Sequence, residues 1–137
     1  MGGRWHFAGT PVVYLSESLA LAAMETFVHL PMKEAAPTIP YVWVAVSIPE
    51  TVPIRAVGLD ELPEQWDKDP APEATKRLGQ RWLDSGETAL LQVPSSVIPQ
   101  ESNFLLNPLH PDFKRLEITG PEPFDFDSRL FQSTRSH

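Results

Sequence analysis

An α+β or mixed α/β single domain is what this chain of 137 residues encodes, and three observations say so. Its length suits about one domain and leaves no room for a second core of useful size. Two or three segments read as helices and about six as strands, interleaved along the chain. Fifteen prolines, about twice the average usage of about 5%, demand many short elements joined by stiff turns and rule out a long bundle or coiled coil. Hydrophobic residues make up 42% and charged residues 21%, ordinary for a chain that folds around a core.

The first strand is predicted at Pro11–Leu15, rich in β-branched and aromatic residues. A helix follows from about Ser18 to Leu30, capped by Ser16 or Ser18 and ended by Pro31. It is apolar around most of its circumference, so burial is expected. Its polar exceptions, Ser18, Glu25 and His29, fall on one narrow stripe. Tyr41–Ile48 is apolar on both faces and reads as a central strand. A short strand is predicted within Thr51–Val57, and a helical turn within Leu59–Trp66. Pro72–Asp84 forms the second helix, with Leu78, Trp82 and Leu83 inward and Ser85-Gly86 closing it. Four strands are predicted after it: Thr88–Val93, Phe104–Leu106, Leu116–Ile118 and Phe124–Phe126. Residues 1–131 make up the domain, and 132–137 read as a frayed polar tail.

Charge and composition exclude several functions. A net charge of −7 with no Lys/Arg run leaves no counterion-release term for nucleic acid. Zero cysteines exclude disulfides, cysteine nucleophiles and cysteine zinc sites. No apolar run is long enough for a membrane helix, and the opening residues lack a signal-peptide core. A soluble cytoplasmic protein without membrane or nucleic-acid partners is the expectation. His6, His29, His110 and His137 have no ligand spacing, so no metal site is expected.

Several polar residues are candidates for chemistry. Gly2-Gly3-Arg4-Trp5 sets a guanidinium beside a tight glycine turn, a shape suited to two parallel hydrogen bonds on a phosphate; it equally fits a solvated arginine near a chain end. Glu25 is a carboxylate on a mostly apolar helix, which fits the mouth of a cleft or a plain solvent face. Pro94-Ser95-Ser96 ends a strand, where serines bind a ligand or satisfy a turn; no Gly-x-Ser-x-Gly elbow surrounds them. Asn103 and Asn107 flank an apolar trio and either cap strand ends or read a ligand edge. Tyr14, Trp43 and Trp82 read as core.

In order along the chain, these fragments resemble one family. Gly2-Gly3-Arg4-Trp5, Gly9-Thr10-Pro11-Val12-Val13-Tyr14 and Ala20-Leu21-Ala22-Ala23-Met24-Glu25 resemble the opening of the RES-domain toxins of toxin–antitoxin pairs. Arg77-Leu78-Gly79-Gln80-Arg81-Trp82 looks like that family's R-x-G-x-x-W helix. Val93–Pro99, Glu101–Pro108 and Phe124–Leu130 resemble its later blocks. The resemblance runs from Gly2 to Leu130.

The resemblance implies an ADP-ribosyltransferase-like β core with a few helices. It implies cleavage of NAD at the nicotinamide–ribose bond, with water or phosphate as acceptor and NAD as substrate, no cofactor being needed. Arg4, Glu25 and Ser95 fall on the arginine, glutamate and serine that name the family, with Ser96 the alternative for the serine. Tyr14 falls on a site-lining tyrosine, and Ser96 and Asn107 are carried over as substrate-binding positions. An Xre-type antitoxin is the implied protein partner, and a homodimer is a further expectation. Competing expectations are ADP-ribosyl transfer to a macromolecule and a truncated, inactive nucleotide-binding module. The family carries an earlier strand and loop, often with its own arginine, so an N-terminal strand is expected to be missing here. His6 stands where an asparagine is common.

Overall fold

The computed structural model describes residues 3–30 and 40–131. Its elements are β1 (Val13–Ser16), α1 (Leu19–Val28), β2 (Tyr41–Ser47), β3 (Ile54–Ala56), α2 (Glu73–Ser85), β4 (Leu90–Pro94), β5 (Ser102–Leu106) and β6 (Glu117–Phe124). Short 3-10 turns at Leu59–Glu61, Pro111–Arg115 and Ser128–Phe131 punctuate the connections. This is the α+β architecture that the pattern requires. The polar tail, 132–137, lies outside the described residues.

Four strands form one sheet in the order β1-β5-β4-β3. β5 runs antiparallel to both β1 and β4, and β3 runs parallel to β4. Since strand side chains alternate between faces, β4 and β5 feed two cores. Leu91, Val93 and Leu105 pack on one face with Trp5, Trp66, Trp82 and Leu83. Leu90 and Leu106 pack on the other with Val52 and Ala89. β2 and β6 form a separate antiparallel ribbon.

Helix α2 is placed by its sequence. Pro72 precedes its first turn, and Gly86 closes it at φ +64°, a left-handed conformation that glycine adopts without strain. Trp82 is buried, with its indole N–H donating to Thr88 Oγ1 at 2.8 Å. Gly79 lets the helix meet the Trp5 main chain directly, since a Cβ there would sit 1.6 Å from Trp5 O. Thr75, fully buried, adds a hydroxyl 2.9 Å from both Arg4 O and Pro72 O, one proton serving two acceptors. α2 thus grips the backbone of the segment that carries Arg4.

Three expectations need correction. Tyr41–Ile48 is not a central strand: β2 pairs with β6 alone. Its apolar residues face a cavity instead, which leaves Val42 64% exposed. The first helix is not largely buried; Leu21 is its one buried residue, because the opposite side of α1 also faces that cavity. The strands predicted at Leu116–Ile118 and Phe124–Phe126 are one strand, β6. Pro121 and Pro123 do not interrupt it, since β6 lies at a ribbon edge, where missing donors are tolerated. Gly120, at φ +110°, sits where the β2 register shifts between Trp43 and Ala45.

Gly79→Ala should destabilise the fold by about 1–3 kcal/mol despite alanine's better helix propensity, because the added methyl must displace the Trp5 carbonyl. Denaturant unfolding of the two proteins measures it.

Candidate active site

Between α1, β1 and β2 lies a cavity of about 820 Å³, within the range of about 300–1,000 Å³ common for small-molecule sites. Arg4, Tyr14, Glu25, Ser96 and Asn103 all line it. The stripe predicted on the first helix faces it too, through Ser18, Glu25 and His29. Ser18, not Ser16, caps that helix, its Oγ accepting the Leu21 N–H at 3.0 Å.

Arg4 is held from behind. Its Nη1 donates to the carbonyls of Trp66 and Lys68, both at 2.8 Å. Its Nε–Nη2 edge has no hydrogen bond among the described residues, so a parallel pair of donors stays available for an oxyanion. Trp5 beside it is buried against Trp66, ring centroids 6.2 Å apart, which fixes the turn.

Glu25 is held by one oxygen. Its Oε2 accepts from Ser95 Oγ at 2.6 Å and from Asn103 Nδ2 at 2.6 Å. Oε1 has no partner among the described residues. Ser95 is fully buried and saturated: its Oγ also accepts the N–H groups of Val97 and Ile98, at 3.1 and 3.0 Å. Asn103 is oriented in turn by Ser16, whose hydroxyl donates to Asn103 Oδ1 at 2.6 Å. Ser16 and Asn103 are register partners across β1 and β5. Hydrogen bonds to a charged group contribute about 1.5–3 kcal/mol each, enough to fix the carboxylate in one orientation.

Tyr14 completes the wall. Its hydroxyl lies 2.7 Å from Nδ1 of the buried His6. Burial pushes its pKa up to about 12, against smaller opposing effects of the Trp5 backbone and Arg4. The turn beneath it needs Gly3, where a Cβ would come within 2.5 Å of the phenol oxygen.

The structure therefore brings Arg4, Tyr14, Glu25 and Ser96 to one cavity. Ser95 stands behind Glu25 and is not among the lining residues. Asn107 is placed elsewhere, at the far end of β5, where its Oδ1 accepts the Leu109 N–H at 3.0 Å in a turn. The sequence leaves Asn103 undecided and marks His6 only as standing where an asparagine is common, not as a partner of Tyr14. Only the strand register, which sets Asn103 opposite Ser16, reveals the first; only the fold of the opening turn reveals the second.

The profile of the RES domain matches residues 1–127. The chain belongs to the RES-domain family. Curated relatives align over nearly all of it. "Prs ADP-ribosylating toxin" of a Sphingobium species is 38% identical, over 96% of this chain and 81% of that protein. "Toxin Res" of Pseudomonas putida is 40% identical, over 96% of this chain and 87% of its own length. "Toxin Res" of Yersinia enterocolitica is 37% identical, over 94% and 84%. No helix among the described residues of this RES domain is long and apolar enough to cross a membrane.

Ser95→Ala should cost about 1–3 kcal/mol of stability, because it leaves the Val97 and Ile98 N–H groups without their acceptor and removes one of the two donors to Glu25 Oε2. Thermal unfolding monitored by circular dichroism checks it.

Proposed function

We propose that this RES-domain protein is the toxin of a toxin–antitoxin pair and that it destroys NAD by breaking the nicotinamide–ribose bond. One observation carries the reading: a half-free guanidinium and a half-free carboxylate, 21 residues apart in sequence, line the same cavity. Arg4 offers its free edge to the pyrophosphate. Glu25 offers Oε1 to a ribose hydroxyl and faces the positive charge that develops on the ribose as the bond stretches. Tyr14 lies against the nicotinamide end. Ser95 and Asn103 act through Glu25 as positioning residues, and Ser96 is the serine that meets substrate.

As the C–N bond breaks, its electron pair leaves with nicotinamide, which departs neutral. Water or phosphate then adds to the ribose carbon. With water, the attacking oxygen gives up one proton to solvent, and the products are ADP-ribose, nicotinamide and that proton; with phosphate, a phosphate oxygen forms the new C–O bond and the products are ADP-ribose phosphorylated at that carbon and nicotinamide. The carboxylate stabilises the cation better than it does the ground state, which is what accelerates the step. The partner in this reading is an Xre-type antitoxin that covers the cavity.

A second reading is favoured by the name of the Sphingobium relative, an ADP-ribosylating toxin. Here ADP-ribose passes to a protein side chain instead. Labelled NAD separates the two, marking a protein band in the second case and small products in the first.

Free nicotinamide should accumulate when the purified protein meets NAD, and Glu25→Ala should slow its release on the order of 10² to 10³-fold. Unchanged turnover in that variant removes Glu25 from the mechanism. Arg4→Lys should raise KM more than it lowers kcat, because a point charge replaces a two-pronged grip. Steady-state kinetics at varied NAD separate the two parameters.

A further inference from the structure

His6 is buried, touches a cavity residue and is not used by the mechanism above. We propose that His6 is a positioning residue for Tyr14: its neutral imidazole occupies the phenol proton, so that Tyr14 meets the dinucleotide as an aromatic face and a hydrogen-bond acceptor, never as a donor. The inference rests on the NAD reading of the cavity.

The geometry leaves one proton for two atoms. Tyr14 Oη and His6 Nδ1 lie 2.7 Å apart, with ring centroids 5.6 Å apart. If the phenol donates, Nδ1 must be bare and Nε2 must carry the imidazole proton. The surroundings favour that arrangement. Burial holds the phenol in its protonated form and holds the imidazole below its usual value of 6.5. The charges acting on the pair are the amino-terminal charge and Lys76 of α2 on the imidazole, and Arg4 on the phenol. All three are positive, and none favours a second cation there.

The chemistry of the substrate gives this a use. The nicotinamide ring of NAD is a cation, and the positive charge moves to the ribose as the bond breaks. A neutral His6 adds no repulsion to either state. Protonating Nδ1 would turn an N–H toward Tyr14 Oη, force the phenol proton away, and set a new positive charge next to the segment of Arg4. Turnover should therefore fall about tenfold per pH unit below the His6 midpoint, and that midpoint lies below 6.5.

Nitrogen-15 NMR of the ligand-free protein reads the proton directly. The expected spectrum has Nδ1 unprotonated and Nε2 protonated, with a His6 midpoint that rises in Tyr14→Phe, where the donor to Nδ1 is lost. A protonated Nδ1 in the neutral ring overturns the proposal. Nicotinamide release against pH gives the second readout. His6→Asn, whose amide oxygen accepts the same proton without titrating, should keep turnover near the wild-type level at neutral pH and lose the acid limb. An acid limb that persists in folded His6→Asn overturns the proposal as well. If the wild-type protein releases no nicotinamide, the NAD reading fails while the NMR result still decides the tautomer.

Discussion

One carboxylate oxygen ties the two halves of the site together. Oε2 of Glu25 accepts a hydrogen bond from Ser95, at the end of β4, and another from Asn103, on β5. Both donors are themselves fixed, Ser95 by two backbone N–H groups and Asn103 by Ser16. The chain of bonds runs β1 to β5 to α1 to the β4 turn, so the helix cannot slide along the sheet without breaking short, charge-assisted bonds. It also distinguishes the carboxylate's two oxygens: Oε2 is committed to the fold, and Oε1 has no partner among the described residues.

Arg4 follows the same logic with the charge reversed. Two carbonyls accept from one nitrogen of the guanidinium, and the Nε–Nη2 edge of this cavity-lining residue has no hydrogen bond among the described residues. What holds the carbonyls in place is packing: Trp5 against Trp66, and the Trp5 main chain against a helix that has no side chain at Gly79. The R-x-G-x-x-W pattern thus acquires a physical meaning. Its glycine permits contact and its tryptophan anchors the helix, while Arg77 pairs with Glu73 on the exposed side, 2.6 Å away. Neither Arg4 nor Glu25 is left to find its own position.

How much of this was legible in the sequence depends on how local the signal was. Helix α2 was legible because Pro72 and Gly86 punctuate it and Leu78, Trp82 and Leu83 share a face. The stripe of Ser18, Glu25 and His29 was legible because helical spacing alone aligns them. The environment of β2 was not. An apolar residue facing a binding cavity and one facing a core look alike in sequence, and both α1 and β2 were read as buried for that reason. Asn103 and Ser95 were beyond local reasoning, since their partners lie 78 and 70 residues away. The family resemblance pointed to Ser95 but not to its place behind the carboxylate.

The most direct test of the convergence of Arg4 and Glu25 is a crystal structure of Glu25→Gln soaked with NAD. The pyrophosphate should lie on the Nε–Nη2 edge of Arg4 and the nicotinamide ribose against residue 25. A dinucleotide that binds with neither group in contact would contradict it.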